Sequence, residues 1–125
     1  MILDTNAFSA FADGDLNLRN IIEHEAYLAL PVVVLGEYLL GVRHSRKRFK
    51  YEAWLNFLLP ELLVLPIDHS TAEQYAEVRS ELKAAGTPIP SNDVWIAALA
   101  RQHQCGIATR DKHFQAIQSI QTFAW

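Results

Sequence analysis

Short apolar runs alternate with longer segments in which apolar residues recur at helical spacing. Ile2–Leu3 is the first run, and Asp4-Thr5-Asn6 ends it, which predicts a strand followed by a turn or a helix start. Polar, proline or glycine residues bound each later run, as is typical of strand ends. Further strands are predicted at about residues 26–30, 62–65, 106–109 and, as an edge strand, 122–125.

Helices are predicted where cap and stop residues bound the longer segments. Pro31 suits the first position of a helix, Gly86 suits a helix stop, and Ser91 is expected to N-cap the helix that follows it. The predicted helices cover about residues 32–43, 47–59, 68–85, 92–104 and 112–117. Strands that alternate with helices predict the α/β class, with a small parallel sheet of about four to five strands flanked by helices on both faces.

Composition fits one intracellular domain over residues 1–125. Half of the residues are hydrophobic and 20% are charged, so the chain can bury a core. A single cysteine, Cys105, excludes an internal disulfide and an all-cysteine metal site. The acidic residue at position 4 argues against a secretory leader, and the longest apolar stretch contains Pro31 and is too short to span a bilayer. We therefore expect a soluble, cytoplasmic protein that does not enter a membrane.

The net charge of −3 argues against nucleic-acid binding, but the basic residues are unevenly distributed. Five of the eleven lysines and arginines lie in one short segment, residues 43–50, which contains Phe49 and is followed by Tyr51. Such a segment can bind RNA phosphates, or it can be a solvated helix face or the rim of a protein interface. The RNA-binding candidates are Arg43, Arg46, Lys47, Arg48 and Lys50, with Arg110 and Lys112 beside Asp111.

Four acidic residues lie at positions where a carboxylate can have a functional role, namely at strand ends or within helices. Asp4 and Asp111 follow predicted strands, and the carboxyl ends of parallel strands form the functional edge of such sheets. Glu37 lies in an apolar helix, where a buried carboxylate must protonate, pair or bind metal. Asp93 lies in the first turn of a helix, where acids are also favoured by the helix dipole. Taken singly, each acid also has an ordinary explanation as a surface, cap or turn residue.

Together, the four acids predict a metal site. Converging carboxylates repel one another unless a cation is present, and Mg²⁺ prefers oxygen ligands. Neighbouring polar side chains can orient the waters of the ion. These supporting residues are Thr5, Asn6, Asn92 and Thr109. The five histidines are scattered and contain no His-x-x-x-His pair, which disfavours a zinc site.

An apolar stripe begins at Phe49, inside the basic segment, and continues to Leu62. It comprises Phe49, Trp54, Leu55, Phe57, Leu58 and Leu62. Apolar residues at such spacing favour a place in the core, and an exposed protein interface is the alternative.

Four segments of the chain resemble PIN-domain ribonucleases, specifically the VapC-type toxins of bacterial toxin–antitoxin modules. The segments occur in the expected order, and the resemblance spans essentially the whole chain. They are MILDTNAFSAF at the start, LGEYLLG at 35–41, IPSNDVWIAA at 89–98 and ATRDKHF at 108–114.

The resemblance implies a PIN fold, Mg²⁺ or Mn²⁺ as cofactor, and endonucleolytic cleavage of RNA. It also implies a homodimer and an antitoxin partner that blocks the site. By this resemblance the family's acidic positions are Asp4, Glu37, Asp93 and Asp111, with Asp4 and Asp93 as the commonest direct metal ligands, and Thr5, Asn6, Asn92 and Thr109 are its polar supporting positions. Metal-assisted hydrolysis predicts products with a 5′-phosphate and a 3′-hydroxyl.

Three other functions compete with this interpretation. A catalytically silent PIN-like RNA-binding module predicts the loss of an acid, whereas all four are present. A phosphatase with Asp4 as nucleophile is disfavoured, because Asp4-Thr5-Asn6 has no second acid two residues on. A metal-dependent nuclease that acts on DNA stays open, since the same site can cut either backbone.

Overall fold

The computed structural model describes residues 1–125 and contains a five-stranded sheet in which all neighbouring strands are parallel. The order is β3-β2-β1-β4-β5. The strands are β1 (Ile2–Leu3), β2 (Ala29–Pro31), β3 (Leu63–Leu65), β4 (Ile107–Ala108) and β5 (Thr122–Phe123). Consecutive residues of β1, β2 and β4 are all buried, as expected for a parallel sheet covered on both faces. The predicted α/β class is confirmed.

Six α-helices accompany the sheet. They are α1 (Thr5–Ala12), α2 (Leu16–Ile22), α3 (Val32–Arg43), α4 (Arg48–Leu58), α5 (His69–Ala85) and α6 (Ser91–His103). The predictions for α3 to α6 are confirmed to within one or two residues, and Gly86 ends α5 in the left-handed conformation, with φ +69°. The predicted helix at 112–117 is a 3-10 helix, Lys112–Ala116.

Two local predictions differ from the structure. Helix α2 was not predicted, although Asp15 caps it by accepting hydrogen bonds from the backbone N–H groups of Asn17 (2.9 Å) and Leu18 (3.1 Å). Ser91 is not the N-cap of α6 but its first residue, and Pro90 precedes it. No side chain caps α6, and the Ser91 hydroxyl instead accepts a hydrogen bond from the Arg79 guanidinium at 2.9 Å.

The apolar stripe between Phe49 and Leu62 is only partly core, so its prediction was wrong in part. Leu55 is 2% exposed, whereas Phe49 and Phe57 are 86% and 83% exposed. At about 100° per residue, Phe57 lies about 200° around the helix from Leu55, on the opposite side. The remaining members, Trp54, Leu58 and Leu62, are half-buried. Helix α4 therefore presents two aromatic side chains to solvent.

None of the helices combines the length and apolar character needed to cross a lipid bilayer.

Candidate active site

The two aspartates that follow strands lie at the same edge of the sheet. β1 pairs directly with β4, with Leu3 opposite Ala108. Asp4 comes immediately after β1, and Asp111 comes three residues after Ala108. The backbone N–H of Asp4 donates to the carbonyl of Ala108 at 3.3 Å, which joins the two chain segments where both leave the sheet. The predicted convergence of these two positions is therefore present.

Asp4 is a buried carboxylate that also caps a helix. Its side chain is almost inaccessible, and its Oδ1 accepts a hydrogen bond from the Ala7 N–H at 2.7 Å at the start of α1. Its Oδ2 accepts a hydrogen bond from the Thr109 hydroxyl. Burial raises the pKa of Asp4 above its ordinary value despite these two hydrogen bonds, and the charges of Asp111 and Asp93 raise it further.

Asp93 and Asp111 are joined by a residue that was not assigned from the sequence. His113 Nδ1 lies 2.9 Å from Asp93 Oδ2 and 3.1 Å from Asp111 Oδ1. The hydrogen bond with Asp93 is the main cause that raises the pKa of His113. Burial raises the pKa of Asp93, and the charges of Asp111 and Glu37 add to that effect. The signal in the sequence was that His113 follows Asp111 by only two residues.

Glu37 is held between two other helices. Its Oε2 accepts a hydrogen bond from the Thr5 hydroxyl of α1, and its Oε1 accepts one from the side-chain amide of Asn92 in α6. The side chain is half-buried, and Glu37 contributes to the raised pKa of Asp93. Glu37 is therefore not an ordinary surface glutamate, because both of its oxygens are bound at the edge of the acidic site.

Three of the four predicted polar residues contact the acids. Thr5 and Asn92 donate to Glu37, and Thr109 donates to Asp4 while accepting the backbone N–H of Asp111 at 2.9 Å. Asn6 is exposed and makes no hydrogen bond to any of the acids.

The basic candidates are exposed, and two of them are engaged elsewhere. Arg48 pairs with Glu52 at 2.7 Å within α4. Arg110 donates to the Trp125 carbonyl at 2.9 Å, and its guanidinium lies 4.4 Å from the centre of the Trp125 ring. Of the seven candidates, only Arg48 makes a side-chain ion pair, and those with neither an ion pair nor the Trp125 contact are Arg43, Arg46, Lys47, Lys50 and Lys112.

The donor atoms at this edge suit a divalent cation. One oxygen each from Asp93 and Asp111 and one nitrogen of His113 lie within 4.8 Å of one another. Carboxylate oxygens are ligands that Mg²⁺ and Mn²⁺ share, and imidazole suits transition metals. By resemblance, Asp4 and Asp93 were expected to be the direct ligands. In the structure, the compact group contains Asp93 and Asp111, and Asp4 lies outside it, with each of its oxygens accepting one hydrogen bond.

Comparison with known proteins identifies the fold. The sequence profile of the PIN domain matches residues 1–119. The chain is 32% identical over 123 residues to Toxin FitB from Neisseria gonorrhoeae, covering 89% of this chain and 87% of that toxin. It is 34% identical over 99 residues to Ribonuclease VapC4 from Mycobacterium tuberculosis, covering 74% of this chain and 72% of that ribonuclease.

Solved structures agree with the sequence comparisons. VapBC-5 from Mycobacterium tuberculosis, a member of the VapBC family of toxin–antitoxin systems, superimposes with a TM-score of 0.77 and 28% identity. The match covers 99% of this chain and 97% of the matched chain. Profile, relatives and fold thus coincide over nearly the full length, and they confirm the resemblance seen in the sequence. The chain belongs to the PIN-domain family, among its VapC-type toxin ribonucleases.

Proposed function

We propose that this chain is a Mg²⁺-dependent endoribonuclease, able to use Mn²⁺, that acts as the toxin of a toxin–antitoxin module. Its active site comprises Asp4, Glu37, Asp93 and Asp111. The observation that carries the proposal is that Asp93 and Asp111 place carboxylate oxygens within one small group of donor atoms, while the charges of both act on the buried Asp4.

Asp93 and Asp111 would hold the ion, with the Asp4 carboxylate beside them. A bound divalent cation supplies charge stabilisation at a phosphoryl oxygen and lowers the pKa of a bound water. Burial and mutual repulsion raise the pKa values of Asp4 and Asp93 in the metal-free protein, so a cation at this place relieves a cost that the fold already bears. Glu37, fixed by Thr5 and Asn92, presents its carboxylate in one orientation and can hold a water of the ion.

The supporting role belongs to Thr5, Asn92 and Thr109, because each donates to one of the acids. Asn6 contacts none of them, so we do not assign it that role. RNA contact falls to the exposed basic side chains, since phosphate neutralisation supplies most of the sequence-independent affinity. The candidates whose side chains are not engaged elsewhere are Arg43, Arg46, Lys47, Lys50 and Lys112, and Arg48 and Arg110 are also exposed.

The partners proposed for the chain are a cognate antitoxin and a second copy of itself. Relatives named as toxin–antitoxin systems support the first, and the exposed Phe49 and Phe57 provide apolar surface of the kind that protein partners cover. Co-expression with the neighbouring open reading frame, followed by size-exclusion chromatography with light scattering, tests both. Recovery of the chain only as a free monomer would contradict this part of the proposal.

The activity is tested with purified protein and defined RNA, with and without EDTA, followed by mapping of both new ends. We expect 5′-phosphate and 3′-hydroxyl products that disappear in EDTA and in an Asp93→Asn protein purified in parallel. Undiminished cleavage in EDTA, or a 2′,3′-cyclic phosphate product, would reject the metal chemistry. Cleavage of single-stranded DNA at the same rate would replace the ribonuclease with a nuclease of broader substrate.

A further inference from the structure

His113 lies where a metal ligand would lie. Its Nδ1 is 2.9 Å from Asp93 Oδ2 and 3.1 Å from Asp111 Oδ1. Two ligands at right angles, each about 2.1 Å from one ion, are separated by about 3.0 Å. The imidazole nitrogen is therefore spaced from both carboxylate oxygens as a neighbouring ligand of one ion would be. No acid of the proposed catalytic set other than Asp93 and Asp111 has this relationship to a histidine.

The surroundings of His113 leave it free to coordinate. Its side chain is 49% exposed, and Nε2 has no hydrogen-bond partner. Nε2 can therefore carry the proton of a neutral ring while Nδ1 offers its lone pair to an ion. His113 lies in the short 3-10 helix Lys112–Ala116, whose N-cap is Asp111. That cap fixes the backbone of His113, because the Asp111 Oδ1 accepts the His113 N–H at 2.9 Å.

We propose that His113 Nδ1 is a direct nitrogen ligand of the divalent cation, so that this site binds Mn²⁺ in preference to Mg²⁺. The proposal rests on the proposed function for the presence of a catalytic cation at this edge. Mg²⁺ takes oxygen ligands and keeps its waters, whereas imidazole is a good ligand for transition metals. A ligand set of two carboxylates and one imidazole therefore discriminates between the two ions, which a set of carboxylates alone does weakly.

The test measures metal binding directly, with Mn²⁺ alone as the probe and no RNA present. Pulsed electron paramagnetic resonance of the Mn²⁺-loaded full chain should show ¹⁴N modulation from a coordinated imidazole. That modulation should vanish in His113→Gln. His69→Gln is the matched control, because His69 Nε2 contacts a single carboxylate, that of Glu73, at 3.0 Å and is likewise exposed.

Titration calorimetry with each ion completes the experiment. His113→Gln should weaken Mn²⁺ binding by about 10-fold or more while changing Mg²⁺ binding by less than about threefold. A histidine that only positions the carboxylates predicts equal losses for both ions and no nitrogen signal in the wild type. Either of those results, or a failure of the wild type to bind Mn²⁺, overturns the proposal.

Failure here is distinguishable from failure of the ribonuclease proposal. A nitrogen signal in a protein that cleaves no RNA leaves His113 as a ligand and removes the proposed function. Metal-dependent RNA cleavage without a nitrogen signal keeps the proposed function and removes His113 as a ligand. Because His113 is half exposed, thermal unfolding of His113→Gln in EDTA should remain cooperative as in the wild type, which checks that the variant is folded.

Discussion

The hydroxyl of Thr109 donates to the buried carboxylate of Asp4, although 105 residues separate them along the chain. The same oxygen accepts the backbone N–H of Asp111 at 2.9 Å. Thr109 is itself buried, and its backbone N–H donates to the carbonyl of Phe123 at 3.0 Å. One side chain thus fixes the positions of two acids at the carboxyl ends of neighbouring strands.

Thr109→Val should disable the site while keeping its shape. Valine matches the volume of threonine but leaves Asp4 Oδ2 and the Asp111 N–H without the hydroxyl that each contacts, which costs about 1–3 kcal/mol of stability. We expect metal affinity to fall by about 10-fold or more, measured by calorimetry. Thr109→Ser keeps the hydroxyl and should retain most of the affinity. Equal behaviour of the two variants would show that the hydroxyl is not what matters.

Asp4→Asn and Asp4→Ala should separate the two functions of this residue. Asparagine can still accept the Ala7 N–H as an N-cap, so the variant should fold but lose RNA cleavage. Alanine removes the cap, which costs about 1 kcal/mol, and also leaves the Thr109 hydroxyl proton without an acceptor. Urea unfolding of both variants beside an RNA cleavage assay measures this. If Asp4→Asn retains activity, Asp4 is not part of the active site.

Stabilisation by metal should grow with pH. The pKa values of Asp4 and Asp93 are raised above 3.8, so protonation of these two acids stabilises the metal-free fold. This contribution to stability is complete below pH 3.8 and is lost as the pH rises through the raised pKa values. A bound cation favours the ionised forms instead. The increase in Tm on adding Mg²⁺ should therefore be small near pH 4 and reach a plateau once both acids are ionised. An Mg²⁺ effect that is largest at acid pH would contradict this.

Charge reversal in the basic segment should weaken substrate binding. Arg46 and Lys47 are exposed and make no ion pair, so Arg46→Glu with Lys47→Glu should raise KM and leave kcat nearly unchanged. The slope of log KM against log salt should flatten by up to about 0.7 for each phosphate that is no longer neutralised. Arg19→Glu with Lys83→Glu, at exposed positions of α2 and α5, changes the net charge by the same amount and is the control. If the control variant changes KM and its salt dependence equally, the segment acts only through the net charge of the protein and is not a specific RNA-binding site.

Gly106→Ala should destabilise the sheet beside the site. A Cβ at this position would lie 2.6 Å from Phe123 Cε2 and 3.3 Å from the carbonyl of Gln121, so the Phe123 ring or β5 must shift. Overpacking of this kind costs about 1–3 kcal/mol. Gly36→Ala is the matched control, because nothing lies within 4 Å of its Cβ and alanine favours a helix by about 1 kcal/mol. Chemical unfolding should give effects of opposite sign.

Local pattern was sufficient for most of the fold. Prolines and glycines such as Pro31 and Gly86 mark boundaries by chain geometry alone, so α3 and α5 were predicted closely. Helix α2 was missed because it is only seven residues long and its periodicity is weak, although Asp15 is an adequate cap. The partner of Ser91 could not be predicted either, since Arg79 reaches it from a different helix.

The candidate site also contains residues that local pattern predicts and residues whose contacts depend on tertiary packing. The placement of Asp4 and Asp111 follows from strand ends, which are local, and Glu37 follows from an acid in an apolar helix. The contact of His113 with Asp93 joins segments 20 residues apart and depends on how α6 meets the loop after β4. The exposure of Phe49 and Phe57 depends on which side of α4 faces the core, which apolar spacing alone leaves undetermined.

The strands are only two or three residues long, so the acids at their ends lie next to the buried core. Asp4 adjoins the fully buried Leu3, and Thr109 adjoins the fully buried Ala108, so the proposed active site is attached directly to the core. We expect the backbone amides there to exchange with solvent only when the whole sheet unfolds. Such a site is ill suited to an internal on–off switch, so its activity is best restrained by an outside molecule that covers it.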